Sequence, residues 1–168
     1  RTAILNQTGS QVAGLVWNER QEQFLSIIDL ARDVEGQFRL PQGFVVTSFD
    51  WIDAGQLVFV AKNQENSLKG IFLYDLQTLE IKELYPLTEE NFGFVASVNQ
   101  RIFIESPRSG VDNIYELIEG NLYQLTSSEF GSYAPTIFNE KLVYNDYSFR
   151  GMNIKEQDVQ ILEATEGS

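Results

Sequence analysis

Leu57-Val58-Phe59, Ile102-Phe103-Ile104 and Leu142-Val143-Tyr144 are three short β-branched and aromatic runs that lie 45 and 40 residues apart. Leu15-Val16-Trp17 sits a further 42 residues upstream of the first. A polar turn and a second strand-like run follow, Phe72-Leu73-Tyr74 in one unit and Asn113-Ile114-Tyr115 in the next. Leu87-Thr88 and Leu125-Thr126 then close two units, 38 residues apart. A period near 40 with several short strands per repeat is the sequence signature of blades arrayed around an axis. The pattern predicts an all-β chain of β-propeller blades, about four four-stranded antiparallel units bounded near 1–42, 43–88, 89–126 and 127–165.

Working outward from the runs, the second unit reads as strands over 44–51, 57–61, 70–76 and 81–85. Asp53-Ala54-Gly55-Gln56 makes its first turn, with a glycine available for positive φ. The third unit reads as 94–98, 101–105, 113–117 and 122–125. In the fourth, strands are expected over 133–138, 141–145 and 152–155, with 159–162 as the outer strand. The first unit reads as 2–5, 12–17, 24–28 and 37–40. Residues 24–34 also admit a short helix, because periods of 2 and 3.6 are hard to separate over so short a run. The repeat decides for strand: Ile27-Ile28-Asp29-Leu30 occupies the place of Leu73-Tyr74-Asp75-Leu76.

A small four-stranded sheet cannot bury two apolar faces alone, so each blade must pack on its neighbours. That packing accounts for most of the 12 Phe, seven Tyr and two Trp. At 168 residues the chain holds four blades at most, and it opens at Arg1, so it is read as a segment of a larger propeller. The end blades then lack neighbours within the chain, and their open faces are expected to drive self-association or to demand the missing portion of the propeller.

Composition excludes several chemistries. The chain has no cysteine and no histidine, which removes disulfides, thiol nucleophiles, Cys- or His-based zinc sites and His-dependent triads. Twelve basic against 24 acidic residues give a net charge of -12, and the basic side chains are scattered, so nucleic acid is not an expected partner. No run approaches the roughly 18 apolar residues of a membrane-spanning helix.

Carboxylates at Asp50, Asp53, Asp75, Asp112, Glu116 and Asp146 fall at strand ends or turns, where such groups accept backbone N–H bonds. Asn145-Asp146 with Asn153 and Glu156 is the one local concentration of oxygen ligands, though no EF-hand-like loop is present. Arg150 is expected in an intrablade ion pair, with anchoring of a partner's carboxylate as the other reading. Asn6-Gln7-Thr8 matches a glycosylation acceptor. There is no Gly-x-Ser-x-Gly elbow and no Gly-rich phosphate loop. No catalytic, cofactor-binding or metal-binding residues are assigned.

Leu125-Thr126, then Tyr133-Ala134-Pro135-Thr136, Asn139-Glu140-Lys141 and Leu142-Val143-Tyr144 resemble the repeat of the TolB-like or WD40-like β-propeller family, whose blades are called PD40 repeats. Leu87-Thr88 introduces a second such unit that ends in Asn113-Ile114-Tyr115. The Ser-Pro-Asp-Gly turn of that family is replaced by Asp53-Ala54-Gly55, Asn99-Gln100 and Asn139-Glu140, which marks a divergent member. The resemblance implies a bacterial, periplasmic or otherwise extracytoplasmic protein whose propeller binds or scaffolds a protein partner and is not itself an enzyme. The alternatives are an accessory propeller gating a peptidase and a carbohydrate-processing propeller that uses carboxylates.

Overall fold

A computed structural model describes residues 3–162. Residues 1–2 of the first expected unit and 163–165 of the fourth lie outside the described residues. Fifteen strands and no helix are found among the described residues. The first sheet comprises β1 (Ala3–Leu5), β2 (Gln11–Trp17), β3 (Gln23–Asp29) and β4 (Val34–Arg39). The second holds β5 (Phe44–Asp53), β6 (Gln56–Asn63), β7 (Lys69–Asp75) and β8 (Glu80–Thr88), and the third β9 (Val95–Val98), β10 (Arg101–Ser106), β11 (Asn113–Ile118) and β12 (Asn121–Gln124). β13 (Ser132–Phe138), β14 (Lys141–Ser148) and β15 (Gly151–Asp158) make the fourth. Each sheet is an antiparallel meander in sequence order.

The cores lie between sheets. Along β6, Leu57, Phe59 and Ala61 face the first sheet, where they meet Ala13, Leu25 and Ile27, joined by the ring of Trp51 from their own sheet. Val58 and Val60 point the other way, against Phe92, Val95, Ile104 and Tyr115 of the third-sheet side. Period-2 alternation in a sheet buried on both faces is why this strand reads as one unbroken apolar run. Phe103, Ile114 and Leu125 then meet Leu142 and Tyr144 across the last junction. Each fully buried side chain of this size contributes about 1.5–3 kcal/mol.

The repeat extends to hydrogen bonds. Asp29 Oδ1 accepts from the N–H groups of Ala31 and Arg32 at 3.0 and 3.1 Å. Asp75 Oδ1 does the same for Gln77 and Thr78 at 2.9 and 3.1 Å. Leu30 N–H donates to Ser10 O, and Leu76 N–H to Gly55 O, both at 2.9 Å. This equivalence confirms residues 24–28 as strand, not helix. It also moves the first unit's register. Gln11 opens β2 as Gln56 opens β6, so Val12-Ala13-Gly14, and not Leu15-Val16-Trp17, stands where Leu57-Val58-Phe59 stands.

The fourth unit departs from expectation. Residues 159–162 form no outer strand, so this sheet has three strands among the described residues. After β15 the chain turns back to the third sheet instead. Val159 packs beside Leu142, and Leu162 N–H donates to Gln124 O at 2.8 Å.

Candidate functional site: the groove along the inner strands

β1, β5, β9 and β13 are the first strands of their sheets and line a common groove of about 630 Å³. Ile4, Thr47, Asp50, Phe94, Ala96 and Thr136 are among its walls. Each inner strand is a sheet edge, and unpaired backbone groups on an edge need partners. The preceding sheet supplies them. Gln23 clamps Val46, donating to its carbonyl at 3.0 Å and accepting from its N–H at 2.8 Å. Ser48 Oγ accepts from Val95 N–H at 3.0 Å, and Asp50 Oδ2 from Ser97 N–H at 2.9 Å. Glu105 completes the series: Oε1 accepts from Ala134 N–H at 2.8 Å and Oε2 from Phe94 N–H at 3.1 Å.

Glu105 is only 3% exposed. Burial pushes its carboxyl above the usual carboxylate range, and nearby Asp112 acts in the same direction, while the two N–H donors pull it down without prevailing. The groove carboxylates therefore act as acceptors for strand ends. Asp50 Oδ1 also takes Trp51 N–H at 2.9 Å. Ser97 Oγ is buried without a hydrogen-bond partner among the described residues.

At one end of the strands Glu90 accepts from Arg108 and from Ser106 Oγ at 2.9 Å, and Arg108 also donates to Tyr85 Oη at 2.9 Å. The Arg108 guanidinium stands 5.6 Å from the Tyr115 ring centroid. Tyr133 Oη donates to Asp112 at 3.0 Å, and burial together with that carboxylate pushes the phenol up to about 12.

Similar folds occur among solved structures. Over 95% of this chain, TolB from Acinetobacter baumannii superposes with a TM-score of 0.69 at 17% identity. The acylaminoacyl peptidase of Pyrococcus horikoshii matches 99% of it with a TM-score of 0.71 at 16% identity. The β-propeller domain of the Trilobed protease from Pyrococcus furiosus matches 99% with a TM-score of 0.59 at 11% identity.

The fold is that of a β-propeller.

The chain spans 41% of the TolB structure and 32% of the acylaminoacyl peptidase, against 71% of the Trilobed protease domain. No family model and no curated protein matches it.

The propeller disperses most of the residues singled out in the sequence. Asp53 and Asp75 serve their own turns, Asp53 Oδ1 accepting from Gly55 N–H at 2.9 Å. Glu116 instead forms a two-pronged ion pair with Arg101, both bonds 2.6 Å long. Asp146 pairs with Lys155 at 2.7 Å. The oxygen cluster around Asn145-Asp146 does not converge. Cross-strand register puts Asp146 and Asn153 on one face of the fourth sheet and Asn145, opposite Ile154, on the other with Glu156. Glu156 pairs with Lys141 at 3.8 Å. Among the described residues no group of three or more acidic side chains could hold a metal ion.

Arg150 corrects a second expectation, for its guanidinium lies over Phe149 at 5.2 Å and makes no ion pair among the described residues. Asn6 is 4% exposed, and its Oδ1 accepts from Ser10 and Gln11 N–H, so the asparagine of the glycosylation match is a buried side chain that holds an exposed turn. Sequence reading missed Glu105, Ser48 and Gln23. Glu105 did leave a signal, a carboxylate ending the apolar run Ile102-Phe103-Ile104 inside a strand.

Proposed function

We propose that this propeller segment is a non-catalytic protein-binding or scaffold module of a larger extracytoplasmic propeller protein. One observation carries the reading. The two groove carboxylates, Asp50 and Glu105, each hold a backbone N–H group of the following sheet, the role of a rigid frame and not of an acid–base pair. Aromatic side chains are left for contact: Phe94 and Phe130, just before inner strands β9 and β13, are 59% and 54% exposed, and Phe149 in the β14–β15 turn is 81% exposed. Exposed aromatics beside arginines such as Arg150 are the side chains that dominate protein interfaces. Extracytoplasmic placement rests on the TolB-like resemblance alone.

A second reading, an accessory propeller beside a peptidase domain, draws support from the likeness to the acylaminoacyl peptidase fold. The test places a photo-crosslinking residue at Phe149, and as a control at Lys82 on the outer strand β8, in the native full-length protein. A discrete adduct from position 149 alone, reproduced with a purified partner and lost with Phe149→Ala in the binding assay, supports the scaffold. Peptide or glycoside hydrolysis abolished by Glu105→Gln, with the fold intact, would falsify it.

A further inference from the structure

The chain's two tryptophans are used in opposite ways. Trp51 is 1% exposed, and its indole N–H donates to Ile4 O at 2.9 Å. Trp17 is 51% exposed, and its indole N–H has no partner among the described residues. That exposure does not come from the end of the chain. By the alternation of a strand Trp17 points the same way as Ala13 and Leu15, toward the second sheet. It lines a cleft of about 340 Å³, at the small end of ligand sites, which run from about 300 to 1,000 Å³.

The cleft lies at one end of the junction between the first and second sheets, with Pro41 and Phe44 as its apolar wall. Its rim is prepared by Asn18 in the β2–β3 turn. Asn18 Oδ1 accepts from the N–H groups of Arg20 and Glu22, both at 2.9 Å, and its amide donates to Glu22 Oε2 at 2.7 Å. Glu22 is thus held in place with Oε1 left over among the described residues. Arg39 stands 6.0 Å from the Phe24 ring centroid and forms no ion pair among the described residues, with Glu22 or any other carboxylate. The side-chain amides of Gln42 and Gln64 are unspent in the same sense. Donors and acceptors therefore ring a flat apolar surface, and Glu22 balances Arg39 in charge.

This chemistry selects among ligands. An anion would meet Glu22, a cation would meet Arg39, and a hydrocarbon would leave the polar rim unpaired. A sugar ring answers every group: one C–H face covers an indole, and its hydroxyls donate and accept around the edge without carrying charge. We propose that this cleft binds a neutral saccharide, one ring stacked on Trp17 and its hydroxyls bonded to Glu22 and Arg39. Both walls lie within the chain, and none of the lining is shared with the groove along the inner strands. The site goes beyond the scaffold reading and does not depend on it.

The experiment is saturation-transfer NMR on the native full-length protein with D-glucose, D-galactose, D-mannose, L-fucose and N-acetyl-D-glucosamine. Each is titrated to roughly 50 mM, because a small open site holds one sugar in about the millimolar range. At least one of these sugars is expected to take up saturation. Trp17→Ala should weaken that binding at least about tenfold, and Glu22→Gln, which keeps an acceptor for Asn18, about fivefold. Both side chains lie at the surface, and circular dichroism confirms that the variants are folded. No transfer to any of the sugars overturns the proposal, and so does binding that Trp17→Ala leaves unchanged. Loss of the position-149 adduct on Trp17→Ala, without sugar binding, would assign the cleft to the protein partner and overturn it as well. The adduct itself reads the scaffold separately.

Discussion

Replacing Glu105 by alanine removes a buried side chain that holds two separate backbone groups, Phe94 N–H of its own blade and Ala134 N–H of the next. Hydrogen bonds to a charged acceptor contribute about 1.5–3 kcal/mol each, and a buried N–H left without a partner costs about as much again as a neutral bond. Against this stands relief: the buried carboxylate is held above its ordinary range by desolvation and by Asp112, so its charged form is already disfavoured. The balance is a loss of about 2–4 kcal/mol, which for a chain of this length lowers Tm by roughly 5–15 °C. Urea and thermal unfolding followed by circular dichroism measure it. Glu105→Gln is the companion, keeping one acceptor and costing about 1–2 kcal/mol. The pair also has a pH signature. A carboxyl whose folded value is raised contributes stability that is complete below the unfolded value near 4.5 and is lost as pH rises through the folded value. Wild type should therefore gain on Glu105→Gln as pH falls from neutral. An alanine variant within about 0.5 kcal/mol of wild type would show that water serves these N–H groups equally well, and the account of the groove would be wrong.

Other outcomes follow from neighbouring contacts. Arg101→Met should cost more than Glu116→Gln, about 3 kcal/mol against about 1, because it strands a carboxylate that is nearly buried while the opposite change leaves a half-exposed guanidinium; equal losses in urea unfolding would count against that reading. Gln100 and Glu140 occupy positive φ at the second place of two-residue hairpin turns, 62° and 63°. Gln100→Gly and Glu140→Gly should each stabilise by about 0.5–1 kcal/mol, read as a raised Tm, since such turns favour Asn-Gly. Burial pushes Asp146 up, but bonds from Lys155, Ser128 and Ser132 outweigh it and hold the carboxyl below its usual range. Its stabilisation is present above about pH 3.8 and is lost as pH falls through the lower folded value, so Asp146→Asn should flatten the acid limb of the stability curve.

The middle blades were legible because their strands are buried on both faces: Leu57-Val58-Phe59-Val60-Ala61 and Ile102-Phe103-Ile104 leave no polar break to blur them. At the edges the signal weakens for a physical reason. In β2 the residues that pack are small, Ala13 beside Gly14, and the bulkier Val16 and Trp17 stand exposed, so hydrophobicity pointed three residues downstream of the true register. Val159 and Ile161 resemble a strand by composition, yet Val159 is drawn to the core beneath the third blade and no strand forms there. The groove was hidden more thoroughly. Gln23 and Val46, or Glu105 and Ala134, meet only when sheets stack, and no spacing within one repeat announces a bond made to the next.

The backbone holds reach forward: Gln23, Ser48, Asp50 and Glu105 each serve a strand that comes later in the chain. During synthesis the earlier sheet leaves the ribosome first, already bearing the group its successor needs. Each new inner strand thus emerges into a prepared seat, and assembly can advance blade by blade without waiting for the chain to finish. One hold runs the other way, Trp51 Nε1 of the second sheet donating to Ile4 O of β1 at 2.9 Å, but loss of the first sheet would take Gln23 from both polar groups of Val46. The molecule has a direction of growth written into its side chains.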